Sequence, residues 1–200
     1  MKHFLTVIFL FLIVGAASAQ EGGSSTSEYP HHEFYVGAGV VNDNQVLSLA
    51  MDLTATLLTL GYAVQPNKHT LITPCVGYKY WFNKRVGLGL HYAFDATSVK
   101  VIHHHDGIAN EDIYKRYFHT LAMEFGVNYV NKPVFQLYGN MGLGVTIVNF
   151  SKNNVGLGRA PYPNLNFVPL GMRFGKDIAG FVEIGWGYKG FFNAGLSVKL

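Results

Sequence analysis

Large apolar residues alternate with small or polar residues along eight stretches of the chain. In the last stretch, apolar residues occupy every even position from Phe192 to Leu200, and small or polar residues lie between them. A period of two places successive side chains on opposite faces of a β-strand, so each stretch predicts a strand with one apolar face. The predicted strands cover residues 34–41, 70–82, 86–95, 120–129, 135–147, 168–175, 182–188 and 192–200.

The predicted connections alternate between short turns and long loops. Short turns fall at residues 83–84, 131–133 and 175–177, and long loops at 42–69, 99–114 and 151–163. Up-and-down barrels of outer membranes have short periplasmic turns and long extracellular loops, which is the pattern seen here. The turn at Lys189-Gly190 is the exception, because it is short and falls on the outer side.

Residues 45–60 fit two periods. They alternate like a strand from Leu47 to Leu57, while the leucines at 49, 53, 57 and 60 recur at helical spacing. Their Leu, Ala and Met content, a cap at Asn44 and an end at Gly61 favour a helix. We therefore predict a short amphipathic helix in the first outer loop, which packs on the barrel rim or lies at the outer-leaflet interface.

The composition of the second face indicates which side is inside. It consists largely of Gly, Ala, Ser, Thr and Asn, which suits the narrow interior of an eight-stranded barrel and would make a poor soluble exterior. A secreted lipocalin-like carrier would need the opposite sidedness. The charges on this face balance and predict a lumen charge network: Lys79, Asp95, Glu124, Arg173, Glu183 and Lys199.

Aromatic residues cluster beside the predicted short turns, as in the girdles that flank the apolar band of outer-membrane barrels. The predicted periplasmic girdle consists of Tyr80, Trp81, Phe82, Tyr129, Phe135, Phe174 and Phe181.

Composition agrees with a membrane barrel. Only 14% of the 200 residues are charged, against about 25% in soluble domains, while 49% are hydrophobic. The single cysteine, Cys75, excludes an intrachain disulfide and cysteine-based metal sites, and on this register it is an inert residue facing the lumen. A net charge of +3 without basic runs argues against nucleic-acid binding.

The N-terminus predicts export. Lys2 precedes an apolar run over residues 4–14, which ends in Ala17-Ser18-Ala19, and these features form a secretory signal peptide over residues 1–19. The apolar run is shorter than the roughly 20 residues of a membrane helix. Polar residues 20–32 predict a flexible linker, so the barrel is expected over residues 33–200.

The signal peptide, the eight alternating strands and the terminal segment resemble the small OmpA-like and OmpX-like porin-family barrels of Gram-negative bacteria, especially those of the Bacteroidota. The resemblance implies an all-β fold, an eight-stranded antiparallel up-and-down transmembrane β-barrel in the bacterial outer membrane. It also implies three kinds of partner: outer-membrane lipid and lipopolysaccharide, periplasmic chaperones with the barrel-assembly machinery, and an unknown extracellular ligand. The family's terminal assembly signal corresponds here to Leu196, Val198 and Leu200, with Leu200 in the place of the usual Phe.

Two histidine-containing motifs are candidates for chemistry. His103, His104, His105 and Asp106 carry ligand types for Zn, Cu or Ni, but consecutive loop residues rarely converge on one ion, so we predict no metal and no cofactor. His91 and Asp95 share the inward face of one strand. Since no G-x-S-x-G motif accompanies them, a structural hydrogen bond is favoured over a catalytic pair.

The sequence therefore predicts a non-enzymatic outer-membrane barrel with a structural, adhesion or partner-binding role and a lumen filled by side chains. The alternatives are a small pore for ions or solutes and a lipid-modifying barrel enzyme.

Overall fold

The computed structural model describes residues 31–58, 64–69, 72–105 and 108–200. These residues form one helix, α1 (Asp43–Leu58), and nine strands: β1 (His31–Val40), β2 (Val64–His69), β3 (Ile72–Trp81), β4 (Val86–His105), β5 (Ile108–Lys132), β6 (Phe135–Lys152), β7 (Val155–Gly175), β8 (Ile178–Gly187) and β9 (Phe192–Lys199). The predicted signal peptide and residues 20–30 of the predicted linker lie outside the described residues. His31 and His32, which were assigned to the linker, belong to β1.

Eight of the strands form a closed antiparallel ring. From β3 to β9 each strand pairs with its neighbour in sequence, and β1 closes the ring by pairing with both β3 and β9. The short strand β2 pairs with β4 beyond the point where β3 pairs with it, so β2 extends the line of β3. The predicted all-β fold, an eight-stranded antiparallel up-and-down barrel with one helix, is confirmed.

The ring carries its apolar face outside and its polar face inside. On β6, Met141, Leu143 and Val145 are exposed, whereas Asn140 and Thr146 are buried in the lumen. The same alternation recurs around the ring, with exposed leucines, valines and phenylalanines on the outer surface. This is the sidedness predicted from the composition of the two faces.

Val168 and Tyr188 belong to the predicted apolar faces of their strands but are buried in the lumen. The β7–β8 register shifts between Phe167 and Leu170, which turns Val168 into the lumen. Gly187, the last residue of β8, has a φ of +131°, and the chain then turns inward so that Tyr188 is fully buried. A bulge or a glycine turn changes the parity of a strand, which alternation alone does not reveal.

The long loops predicted at 99–114 and 151–163 are wrong. The β4–β5 ladder continues to the pair His105 and Ile108, and the β6–β7 ladder continues to Lys152 and Val155. Both central residues of the β6–β7 turn, 153 and 154, are asparagines with positive φ, which suits a two-residue hairpin turn. Strands that rise beyond an apolar environment need no continuous apolar face, so the period-two signal fades there.

Strand length divides the barrel into two sides. We call β8, β9 and β1, with 8 to 10 residues each, the low wall, and β4 to β7, with 18 to 25 residues each, the tall wall. A tilted strand of about 9–11 residues spans the hydrocarbon of a bilayer. The low wall therefore has the length of one span, and the tall wall rises beyond it.

Helix α1 begins with a reciprocal cap. The side-chain oxygen of Asn42 accepts a hydrogen bond from the Gln45 amide at 2.8 Å, and the Gln45 side chain accepts one from the Asn42 amide at 3.3 Å. The predicted helix is confirmed, but its cap is Asn42 and not Asn44; Gly61 lies outside the described residues. Within those residues, no helix is long and apolar enough to cross a bilayer.

Candidate functional site

Four charged side chains form a cluster in the middle of the lumen, which we call the central cluster: Lys79, Glu124, Glu183 and Lys189. The Lys189 ammonium lies 2.9 Å from a Glu124 carboxylate oxygen and 3.2 Å from one of Glu183. Only 1% of Lys189 and 1% of Glu124 is exposed to solvent. Burying ions costs several kcal/mol each unless they are paired, so the cluster is stable only as a set.

Neutral side chains complete the hydrogen bonding of the two carboxylates. Five of them donate hydrogen bonds at 2.8–3.1 Å: Tyr35 and Tyr188 to Glu124, and Tyr138, Asn140 and Asn193 to Glu183. Because each carboxylate accepts several hydrogen bonds, the network compensates much of the desolvation cost of both charges.

Lys79 binds the cluster less directly than Lys189. Its ammonium lies 3.9 Å from Glu183 and stacks over the rings of Tyr35 and Tyr138, 5.1 and 4.9 Å from their centroids. A desolvated cation over an aromatic face gains roughly 2 kcal/mol, which helps to retain this second lysine in the lumen.

Glycines opposite the tyrosines make room for their rings. A Cβ atom at Gly77 would lie 2.1 Å from the ring of Tyr35, and one at Gly171 would lie 2.4 Å from the ring of Tyr138. These distances are far below van der Waals contact, so a side chain at either position would collide with the ring. The absence of a side chain at Gly77 and Gly171 leaves the space that the rings occupy. The inner face is therefore small where the opposing side chain is large, as in a close-packed interior.

A second ion pair lies toward the end of the lumen where β1 begins. Arg173 lies 3.0 Å from Glu33, and the Trp81 indole donates a hydrogen bond of 2.7 Å to the same carboxylate. Arg173 also donates to Ser197 at 2.7 Å, and Lys199 is half-buried at the position that pairs with Glu33 in the β1–β9 ladder.

Helix α1 follows the end of β1, at the end of the lumen opposite Glu33, which we call the outer mouth; its polar face is turned toward the lumen. Asn44, Gln45, Ser48 and Asp52 are buried, while the apolar residues of the helix whose side chains the structure describes are exposed. Asp52 pairs with Arg116 of β5 at 3.0 Å, Tyr162 of β7 donates a hydrogen bond to Asn44, and Gln45 donates one to Thr73 of β3 at 3.4 Å.

The segment that leads into α1 joins the same network. Asn42 donates hydrogen bonds to Thr73 at 2.6 Å and to Asp95 at 3.0 Å. The next residue, Asp43, is half-buried in the mouth, and burial raises the pKa of its carboxyl from the usual 3.8 to about 6. Hydrogen bonds from the Asn44 amide and the Asn164 side chain oppose this pKa shift but do not cancel it.

The predicted lumen charges occupy three levels. Lys79, Glu124 and Glu183 meet in the central cluster, Arg173 and Lys199 lie near Glu33, and Asp95 bonds Asn42 in the mouth. Glu33 and Lys189 also carry charge in the lumen but were not predicted there. Glu33 could have been predicted, since it lies two residues before Tyr35 and therefore on the same face of the strand. Lys189 lies in a turn, where alternation does not indicate a face.

Two of the predicted girdle residues face the lumen. Trp81 and Phe181 are buried, and Phe181 packs edge-on against Tyr35 with 5.8 Å between ring centroids. The other five lie on the outer surface: Tyr80, Phe82, Tyr129, Phe135 and Phe174. Trp81 and Phe181 are inside because each continues the inward phase of its strand, and nearness to a turn does not override that phase.

The two residues of the predicted pair, His91 and Asp95, bond different partners. His91 is 1% exposed and its ring bonds the Tyr35 hydroxyl at 2.8 Å, while Asp95 bonds Asn42. The backbone of residues 103–105 belongs to β4, but their side chains and Asp106 lie outside what the structure describes. No group of three metal-ligating side chains occurs among the residues whose side chains it does describe. Cys75 is buried in the lumen, with its sulfur 3.8 Å from the Asn193 side chain.

The terminal residues lie on the outer surface. The side chains of Leu196, Val198 and Leu200 all point outward from β9. Leu200 also exchanges backbone hydrogen bonds with His32 of the neighbouring strand β1. This terminal strand closes the ring.

No protein-family model matches the chain, and no curated protein matches its sequence. Among solved structures, it is similar to the N-terminal β-barrel domain of Pseudomonas aeruginosa OprF, with 13% identity and a TM-score of 0.49 over 85% of this chain and 95% of that one. It is also similar to Ail, the attachment invasion locus protein of Yersinia pestis, in complex with the heparin analogue sucrose octasulfate. That match has 13% identity and a TM-score of 0.46 over 86% of this chain and 100% of Ail. At this sequence identity and TM-score, neither similarity assigns a ligand or a role to this chain, and neither supports the predicted Bacteroidota type.

Proposed function

We propose that this protein is a bacterial outer-membrane barrel, similar in kind to the OmpA-like and OmpX-like barrels, that serves as a non-enzymatic surface scaffold with a structural, adhesion or partner-binding role. The observation that carries the proposal is the exposed apolar face around the whole ring. Leu121, Leu143 and Leu165, on three successive strands, are each at least 63% exposed. An apolar surface of this extent is unfavourable in water and suited to lipid.

The filled lumen supports a scaffold over a pore. The central cluster and the ion pair of Arg173 and Glu33 occupy the interior of an eight-stranded barrel, which is only wide enough for side chains. The same burial argues against catalysis at His91, because a substrate would have to displace the hydrogen-bonded network around it.

The tall wall supports the binding role. Its β6–β7 hairpin exposes Val155, Leu157 and Arg159 beyond the length that a membrane span requires. Two hydrogen-bonded strands hold these side chains in fixed positions, whereas a loose loop would have to be ordered on binding. We propose this hairpin as the surface for the extracellular ligand, and Leu196, Val198 and Leu200 as the signal read by chaperones and the barrel-assembly machinery.

Membrane location is tested by gel mobility of the chain from the outer-membrane fraction, with and without boiling. We expect the unboiled protein to migrate as a compact, detergent-resistant barrel and the boiled protein to shift. A chain found only in the soluble fraction, with no shift, would overturn the proposal.

Single-channel recording in a planar bilayer separates a scaffold from a pore. We expect no discrete conductance from the folded protein, because the central cluster blocks the lumen. Stable unitary currents that survive repurification would make the small pore the better description.

A further inference from the structure

Helix α1 exposes an apolar face that carries no charge. Asp43 and Asp52 are the only charged residues of the helix, and neither side chain is on its exposed face. Val46, Leu49, Leu53 and Leu57 recur at helical spacing on the opposite side, where Leu53 is 56% and Leu57 77% exposed. The usual arrangement of a surface helix is therefore reversed, since its polar side is buried and its apolar side is open.

The polar-face partners show which way the apolar face points. They stand on β3, β5 and β7: Thr73, Arg116 and Tyr162. Two of these strands belong to the tall wall. The apolar face lies on the other side of the helix from these partners, and the low wall is a side of the barrel from which none of these three partners comes.

The low wall sets the height of the helix. β1 has 10 residues, one membrane span, and α1 begins three residues after its last residue, Val40. The helix therefore starts at the outer end of the span. It is continuous with the apolar surface of the wall, because the outward residues at this rim, Ile72, Phe191 and Phe192, are also exposed and apolar.

We propose that α1 seals the lumen with its polar face and inserts its apolar face into the outer-leaflet interface of the membrane, above the low wall. The inference rests on the membrane location proposed above. The occupant of the exposed face is the hydrocarbon next to the lipid headgroups, since the face offers alkyl side chains and no cation for a phosphate. The same helix thus closes the lumen with one face and is held in the membrane interface by the other.

Spin labelling tests the inference. In a Cys75→Ser background, single cysteines replace Leu53 and Leu57, with Leu143→Cys as the reference for the lipid-facing wall and Asn154→Cys as the reference for water. The labelled proteins, each checked for folding by gel mobility, are reconstituted into bacterial phospholipid vesicles. Power saturation then compares the accessibility of each label to oxygen, which concentrates in lipid, and to a nickel chelate, which stays in water.

We expect labels at 53 and 57 to show an oxygen-to-nickel ratio several-fold above that at 154 and close to that at 143. A ratio equal to that at 154 would overturn the inference. Shielding from both reagents with dipolar broadening would also overturn it, and would assign the face to a second copy of the chain. If the label at 143 itself behaves like the one at 154, the proposed membrane location fails, whatever the helix does.

Discussion

The central cluster and the outer mouth both close the lumen with paired charges, but they are built differently. Every member of the central cluster lies on a barrel strand or on the tight turn that follows β8, and its side chains are almost fully buried. In the mouth, Asp52 comes from α1 and Arg116 from the wall, and the Arg116 side chain is 16% exposed. The first closure is part of the wall, and the second is held by a separate segment.

This difference predicts different costs of disruption. Removing one partner of a buried pair leaves an uncompensated charge in the interior, which the barrel avoids only by unfolding. Removing a partner in the mouth lets the helix move and water solvate the other charge. Substitutions in the centre should therefore lower global stability, and substitutions in the mouth should loosen α1 alone.

Lys189→Met should have the largest effect. It leaves Glu124 and Glu183 buried with Lys79 as the nearest cation, and we expect a loss of about 3–5 kcal/mol. The urea midpoint of the gel-mobility shift measures it. Lys176→Met, in the exposed turn between β7 and β8, is the matched control and should stay within about 0.5 kcal/mol of the unsubstituted protein.

A second substitution identifies the cause of that loss. Glu124→Gln added to Lys189→Met removes one of the two buried carboxylate charges that have lost the lysine, and it should recover part of the stability. If Lys189→Met alone unfolds at the same urea concentration as the unsubstituted protein, the central cluster has no structural role.

Gly77→Ala should have an intermediate effect. The new methyl group would lie 2.1 Å from the Tyr35 ring, so the ring must leave its recess and its hydrogen bond to Glu124, at a cost of about 1–3 kcal/mol. Gly156→Ala, where no atom lies within 4 Å of the new methyl group, is the control in the same urea titration. Equal midpoints for the two variants would show that the ring moves without cost.

Arg116→Ala should change global stability by less than about 1 kcal/mol while it releases α1. Hydrogen exchange of the amides at 46–58 should speed up, and exchange in β5 and β6 should stay unchanged. Lys115→Ala is the control, because its ammonium bonds Asn154 in the exposed hairpin, 2.8 Å away, and not the helix. Faster exchange throughout the barrel in Arg116→Ala would contradict the prediction that substitutions in the mouth loosen α1 alone.

The smallest expected effect is a pH dependence of the docking of α1 in the outer mouth. Burial raises the pKa of Asp43 to about 6, so the docked helix favours the protonated carboxyl. Docking is then strongest below the usual pKa of 3.8 and weakens as the pH rises through about 6. Protection of the helix amides, corrected for intrinsic exchange, should be greater at about pH 5 than at about pH 7.5, and Asp43→Asn should remove the difference. A pH dependence that persists in Asp43→Asn would assign it to another group.

The hairpins of the tall wall show where prediction from sequence stopped. Residues 99–114 and 151–163 were expected to be loops because alternation is lost there, yet residues 99–105, 108–114, 151–152 and 155–163 belong to β4 to β7. Alternation reports that one face of a strand is apolar and the other is not. A strand above the span has no such requirement, so its ladder is set by the partner strand and by the turn at Asn153 and Asn154.

The sequence predicted the eight strands of the ring through a local period that the backbone imposes, and it predicted their sidedness and the helix through composition. It also indicated several lumen charges, such as Glu124 and Glu183, through their phase within a strand. How these charges pair depends on the folded barrel, which brings together residues from distant parts of the sequence. Lys189 reaches Glu124 across 65 residues of sequence from a turn without a period, and the barrel mouth, which is lined with polar groups, buries the polar face of α1 and leaves its leucines open.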